Sequence, residues 1–433
     1  MNYTVAMDTY HVKPYIARDS VLEVSVSASK SILNRALLLA ALAHGNVLIR
    51  CGTLSEDTRT MLDCLRTLGV KIENTEDGFL VHGCGGDFMR LGNTSEPVID
   101  VKSAGTVARF LPSVLAFCGG KYRFTSSKQL MNRPMEILRI LENAGVRFEF
   151  EGSPYRYPFS MYSAGLSESS FTVDTTDSTQ YASGLLIAAA VDKKSVRIKL
   201  TGARSNGSYL KITLDMLEAF NVPFQVSADE ITVSPSVNSP TEYNVEPDIS
   251  GACYFYALSL LFGAKIFIRG AKLDTIQGDI RFLHVLEEKG VKLLETTEGL
   301  LADGSCVKSY SGFDLDMRDF SDQTLTVAAL APFATSSSIL RNVGHIQYQE
   351  CDRIRAIVEN LNALGVPAHT DGNNIEIFPA TPKSGTVKTY DDHRVAMAFS
   401  LVGLKTGGIS IENPNCCKKT FENFFEVLSN ITK

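Results

Sequence analysis

No apolar run in the sequence reaches transmembrane length, so no membrane-spanning helix is expected. The opening, Met1 to Arg18, has early polar and charged residues and no apolar h-region. Neither a signal peptide nor an Arg/Ser-rich import presequence is expected there. The nine cysteines (Cys51, Cys64, Cys84, Cys118, Cys253, Cys306, Cys351, Cys416 and Cys417) include no C-x-x-C pair. An odd number at scattered spacing fits free thiols in a reducing cytoplasm, not a disulfide framework. Histidines and cysteines do not cluster at ligand spacing, so no metal is expected. P-loop and G-x-G-x-x-G motifs are also missing, which leaves nucleotide binding by those routes without support. A net charge of −6 argues against coating nucleic acid or an anionic membrane, but permits a local basic pocket.

What is present is ordinary globular composition, 44% hydrophobic and 21% charged over 433 residues, enough for two or three domains. One pattern recurs six times: a polar turn, an apolar helix, a strand, an amphipathic helix, then more strand. In the first pass, Ser27-Ala28-Ser29-Lys30-Ser31 leads into a helix-forming run, with Ser29 or Ser31 as cap and His44-Gly45 as stop. Asn46 to Arg50 reads as a strand, and Ser55-Glu56-Asp57 caps a second helix that runs through Leu68 to Gly69. The openings fall at 31, 103, 178, 250, 321 and 392, about 72 residues apart. Each unit can form a small layered α/β subdomain, and six suggest two domains of three. The expected boundaries are 27–247 for one domain and 1–26 plus 248–433 for the other. The cleft between domains is then the default ligand site.

The openings collect chemistry-bearing residues: Lys30, Ser31 and Arg35; Gly105, Thr106 and Arg109; Ser178, Thr179 and Gln180; Asp322; and His393 and Arg394. The second-helix starts add Arg133 (with Pro134 at the first helical position), Tyr209, Glu350, Arg353 and Lys419. Seven of these are cations: Lys30, Arg35, Arg109, Arg133, Arg353, Arg394 and Lys419. If equivalent ends face one cleft, its ligand is a small, strongly anionic molecule; guanidinium forks suit carboxylate and phosphate. Asp322, Glu350 and Asp392 among such cations are candidate proton shuttles. Each has a bland alternative. Asp322 reads as an ordinary cap, and Glu350 with Arg353 as an ordinary pair three residues apart. Gln277 to Arg281 reads as a turn into a helix with a local ion pair, Cys118 as core, and Cys416-Cys417 as bystanders, although the neighbouring Lys418-Lys419 form a cationic setting of the kind that can lower a thiol pKa.

Several motifs occur in one order: Ser29-Lys30-Ser31-x-x-Asn34-Arg35, Ala104-Gly105-Thr106-x-x-Arg109, Asn132-Arg133-Pro134, Gln277-Gly278-Asp279, Glu350-Cys351-Asp352-Arg353 and Asp392-His393-Arg394. Together they resemble the EPSP synthase (3-phosphoshikimate 1-carboxyvinyltransferase) family from about Val24 to Leu428. The resemblance implies an α/β, two-domain inside-out αβ-barrel with six βαβαββ-like units, three per domain. It implies transfer of the enolpyruvyl group of phosphoenolpyruvate to the 5-hydroxyl of shikimate 3-phosphate, on the route to chorismate, with no metal or organic cofactor. Lys30, Asp322 and Glu350 would be catalytic. Lys30, Ser31, Arg35, Ser178, Thr179, Gln180, Tyr209, Asp322, His345 and Gln349 would hold shikimate 3-phosphate. Lys30, Gly105, Thr106, Arg133, Gln180, Arg353, Arg394 and Lys419 would hold phosphoenolpyruvate. A cytoplasmic monomer without nucleic-acid or membrane partners is expected.

The chain departs from the family pattern at Gln349 (usually Lys), His345 (often Asn), Ser103 (usually Asn), Ala28 (usually Gly) and Phe110 (commonly Pro). Gln349 motivates one alternative, a non-catalytic or retuned binding homologue. The other is UDP-N-acetylglucosamine enolpyruvyl transferase. Against it, Ser126 to Asn132 contains no cysteine, and Ser31 follows Lys30 where that family favours Asn.

Overall fold

The computed structural model describes residues 8–91, 96–133, 135–176, 178–191, 193–202, 207–236 and 238–432. Pro134 therefore lies outside the described residues. No helix among them is long and apolar enough to cross a membrane. The chain divides into two compact units, Ala28–Glu246 and Met1–Ser27 with Pro247–Lys433.

Within the first unit, three helices are apolar on nearly every side: Lys30–Leu42, Gly105–Cys118 and Gln180–Ala188. A helix without a polar face can only be satisfied inside, and these three are buried almost throughout. The sheets lie outside them. Their central strands alternate buried and less buried residues, as in Val196–Thr201, the mark of one face on the core and one on solvent. The result is an inside-out arrangement, helices within and sheets around. Two local details hold the inner helices. Pro112 cannot donate to the carbonyl of Ala108 within its helix, and the Tyr157 hydroxyl donates to it instead at 2.9 Å. A Cβ on Gly184 would fall 2.9 Å from the Arg109 carbonyl oxygen, so the absence of a side chain lets these helices touch.

The second unit repeats the plan with Ile249–Phe262, Thr324–Leu330 and His393–Thr406 as inner helices.

Each repeat unit runs strand, inner helix, strand, outer helix, then two strands. The first strand pairs parallel with the strand after the inner helix, and that strand pairs antiparallel with the last. In the second pass Val98–Asp100 lies parallel to Gly120–Thr125, which pairs with Phe159–Ser163 and then Arg147–Phe150. The first strands of passes one and four are supplied from afar. Glu242–Asn244 pairs parallel with Asn46–Arg50 and closes the first unit on itself. Val21–Val24 pairs parallel with Lys265–Arg269 in the second. In the sixth pass Thr9–His11 pairs antiparallel with Ile409–Glu412, taking the place of the terminal hairpin. Among the described residues, five sheets have four strands and this one has three.

Some local readings of the sequence are corrected. The first helix ends at Leu42, with Ala43 as its cap in an extended conformation, one residue ahead of the expected His44-Gly45 stop. Ser29 occupies the N-cap position, but its side chain makes no capping hydrogen bond. The Ser55 cap is present, with Ser55 and Thr58 bonding reciprocally.

Candidate active site

In the Ala28–Glu246 unit the predicted residues gather at the N-terminal ends of the inner helices. Lys30 is the first residue of its helix, and its Nζ lies 3.1 Å from Asp57 Oδ2. Asp57 is 4% exposed and sits in the first turn capped by Ser55, so the cap fixes the carboxylate that orients Lys30. Arg35 lies just over one turn further on and is fully buried. Its Nε donates to Thr213 Oγ1 at 2.9 Å and its Nη1 to the Ser31 carbonyl at 2.7 Å. Its Nη2 donates to Ser183 Oγ at 3.3 Å and to the Tyr209 carbonyl at 3.2 Å, and Phe110 stacks on its face. Every one of these partners is neutral. Burial pushes the Arg35 pKa down to about 10. A buried cation held only by neutral acceptors carries a desolvation cost that an incoming anion offsets.

At the next opening, a Cβ on Gly105 would fall 2.9 Å from Arg109 Nη1 and 3.0 Å from Arg133 Nη1. Two guanidinium groups thus converge on the bare start of the Gly105–Cys118 helix, beside the buried Thr106. Arg109 Nη1 also donates to Gln180 Oε1 at 2.9 Å, which ties the second opening to the third. There Ser178 Oγ accepts from the Gln180 N–H at 3.2 Å, and Thr179 caps the helix by position alone. Tyr209 lies inside the outer helix Ser208–Ala219, not before it as the sequence suggested.

In the Pro247–Lys433 unit the predicted residues form one linked charge network. Arg353 is 1% exposed. Its Nε donates to Asp392 Oδ2 at 2.8 Å, its Nη1 to Asp322 Oδ1 at 3.0 Å, and its Nη2 to Glu350 Oε2 at 3.0 Å. Nη1 also meets Gln349 Oε1. Arg394 Nη2 donates to Asp322 Oδ2 at 2.7 Å, and Lys419 Nζ lies 3.1 Å from Glu350 Oε1. The order Lys419, Glu350, Arg353, Asp322, Arg394 alternates in sign. Burial opposes the charge on Arg353, but Asp392, Glu350 and Asp322 outweigh it and raise its pKa. Asp392 also caps its helix, accepting from the Arg394 N–H at 2.8 Å. Tyr390 and Asp391 just before it adopt left-handed φ values of 53° and 60°, a conformation side chains rarely take, which turns the chain into that cap. His345 is half-buried in the Gly344–Tyr348 turn that leads to Gln349.

Several single-residue readings give way to this network. Asp322 is not a cap: it sits within the Ser321–Gln323 turn, and both its oxygens serve arginines. Glu350 pairs with Arg353 from outside the Arg353–Ala363 helix, which Asp352 caps. Asp279 makes no local pair with Arg281; it is buried and accepts from Ser250 Oγ and, at 2.9 Å, from Gln323 Nε2. Burial raises the Cys417 thiol pKa, in keeping with a bystander cysteine. Cys118 ends its helix half-buried, short of full core. Asp57, Ser183, Thr213 and Gln323 did not stand out in the sequence. For Asp57, Ser183 and Thr213 the signal was positional, a polar residue on the buried face of a helix beside a predicted cation.

Helix starts, clustered guanidinium groups and tethered carboxylates in the two units suit an α/β enzyme of small anionic substrates. The family model for EPSP synthase (3-phosphoshikimate 1-carboxyvinyltransferase) matches residues 18–428. A 3-phosphoshikimate 1-carboxyvinyltransferase from Nostoc sp. is 35% identical over 426 residues, covering 97% of this chain and 98% of the relative. One from Methanosphaerula palustris is 34% identical, covering 94% and 96%. The solved EPSP synthase from Acinetobacter baumannii superposes with a TM-score of 0.80 over 98% of both chains, at 21% identity, and so supports the fold. The chain belongs to the EPSP synthase family.

Proposed function

We infer that this chain transfers the 1-carboxyvinyl group of phosphoenolpyruvate to the 5-hydroxyl of shikimate 3-phosphate and releases phosphate. The observation that carries the reading is the network around Arg353. Two carboxylates able to move protons, Asp322 and Glu350, are tied to the same guanidinium that an anionic donor would claim. An entering phosphate or carboxylate competes for Arg353, Arg394 and Lys419, and so loosens Asp322 and Glu350 for proton transfer.

Asp322 accepts the 5-hydroxyl proton as that oxygen bonds to C2 of phosphoenolpyruvate, and Glu350 gives a proton to C3. The product of addition is a tetrahedral ketal. Its C–O bond to phosphate then breaks, the C3 methyl returns a proton, and the double bond reforms. Lys30, poised by Asp57, stabilises charge on the reacting oxygens. Arg35, with Ser31, Ser178, Thr179, Gln180, Tyr209, His345 and Gln349, serves shikimate 3-phosphate. Gly105, Thr106, Arg133, Arg353, Arg394 and Lys419 serve the donor. Gln349 cannot carry the positive charge usual at its position; here its amide oxygen is one more acceptor on Arg353. The alternative acceptor UDP-N-acetylglucosamine has no support in the comparisons, and the family assignment favours turnover over binding alone. A cytoplasmic monomer that binds only these small molecules fits this reading.

Purified protein should release phosphate from phosphoenolpyruvate when shikimate 3-phosphate is present, and not with UDP-N-acetylglucosamine. Release with neither acceptor at any pH would refute the reading. Gly105→Ala should raise KM for phosphoenolpyruvate about tenfold with a smaller change in kcat, because the added methyl displaces Arg133 and Arg109 by a few tenths of an ångström. Steady-state kinetics varying each substrate in turn would check this.

A further inference from the structure

Gln277-Gly278-Asp279 has no part in the chemistry described so far, yet its side chains brace two helix openings. Gln277 Oε1 accepts from the Ile249 N–H at 3.0 Å, and its Nε2 donates to the Pro247 carbonyl at 2.9 Å. This pins the start of the Ile249–Phe262 helix. Asp279, 4% exposed, lies two residues on, within the Gly278–Ile280 turn. Its Oδ2 takes hydrogen bonds from Ser250 Oγ, at the fourth opening, and Gln323 Nε2, at the fifth. Gln323 is fixed in turn by Thr326 Oγ1, which donates to its Oε1 at 2.8 Å. The residue before Gln323 is Asp322. A single buried amide thus joins Asp279 to the turn that carries the proposed proton acceptor.

We propose that Asp279 is a positioning residue for Asp322: its charge, held against the Ser321–Gln323 turn through Gln323, sets how strongly Asp322 attracts a proton. The idea rests on the transfer reaction inferred above. The charged and titratable groups around Asp279 are Asp322 from that turn, Arg394 from the His393–Thr406 helix, and Cys253 from the Ile249–Phe262 helix, whose Sγ contacts the Asp279 carbonyl. Arg281, on Asp279's own element, lies over the Phe320 ring, and Arg353 acts through Asp322. Burial first, and then the charge of Asp322, push the Asp279 pKa up to about 6, while Arg394, Ser250 and Gln323 pull it down. Asp279 therefore holds its proton to higher pH than an ordinary carboxylate. Above its pKa its negative charge strengthens Asp322 as a base; below it, neutral Asp279 leaves Asp322 weaker, and kcat falls.

Asp279→Asn keeps the side-chain shape and an oxygen acceptor for Ser250 and Gln323 but cannot ionise. Above the transition it should lower kcat about three- to tenfold with both KM values unchanged, and it should abolish the limb near pH 6. Ser250→Ala removes a donor that favours ionised Asp279, so it should move that limb to higher pH and leave the plateau rate in place. Infrared difference spectra of the full-length protein supply a readout independent of turnover. A protonated-carboxyl band should grow in as pH falls through about 6 in the wild type and be missing from Asp279→Asn. An unchanged pH profile in Asp279→Asn overturns the proposal, as does a carboxyl band that persists in that variant. Absence of any wild-type turnover instead overturns the reaction on which it rests.

Discussion

Lys30→Ala should lower kcat about a hundred- to a thousandfold, the usual cost of removing one donor from developing negative charge. Lys30 opens its helix, where backbone N–H groups already favour an anion, and Asp57 holds its ammonium at 3.1 Å. The variant loses a point charge and also leaves the 4%-exposed Asp57 without its cation. That second effect destabilises the fold, by up to about 3–5 kcal/mol for a buried pair broken on one side. The two effects separate in Lys30→Ala/Asp57→Asn. The double variant should recover most of the lost melting temperature while turnover stays low. Near-normal turnover in Lys30→Ala contradicts the role given to this lysine.

Asp322→Asn should be as damaging in a different way. A general base is worth about a hundred- to ten-thousandfold, and the amide cannot accept the hydroxyl proton. The same change weakens the hold of residue 322 on Arg353 and Arg394, which it meets at 3.0 and 2.7 Å. Those guanidinium groups then become more available to phosphoenolpyruvate. The expected signature is therefore a split: kcat collapses while KM for phosphoenolpyruvate holds steady or falls. A matched loss in binding and rate would instead mark Asp322 as a structural partner of the arginines.

The repeat was legible because its grammar is local. An apolar helix after a polar turn, followed by a strand and an amphipathic helix, can be read wherever it occurs, and six copies in phase carry their own weight. Burial of the inner helices follows directly from their lack of a polar face. The closing strand Glu242–Asn244 was not legible: three residues that pair with Asn46–Arg50, nearly two hundred positions earlier, leave no periodic signal. The candidate site divides the same way. Cations stood out by type and by repeat-equivalent position. Most of their pairings did not: Asp57, Asp322 and Asp392 reach Lys30, Arg394 and Arg353 from other turns or other repeats, and only the Glu350–Arg353 pair was readable from its spacing. Counting seven cations thus overstated the unbalanced positive charge: Arg353, Arg394 and Lys419 are all matched to carboxylates. Arg35 is held by neutral partners alone, so its charge is left for a ligand. Asp279 was hidden by its neighbour, since an Asp two residues before an Arg at a helix start reads as a surface pair. Only burial reveals otherwise.

One chain is expected to carry both the anion-binding and the proton-moving groups for enolpyruvyl transfer. Phosphorus NMR of the purified protein with equimolar phosphoenolpyruvate and shikimate 3-phosphate tests it most directly. The phosphoenolpyruvate signal should give way to inorganic phosphate in step with a new shikimate-phosphate ester resonance, one for one. Phosphate that accumulates while the shikimate 3-phosphate signal stays unchanged, or two substrate signals that persist unaltered, would contradict it.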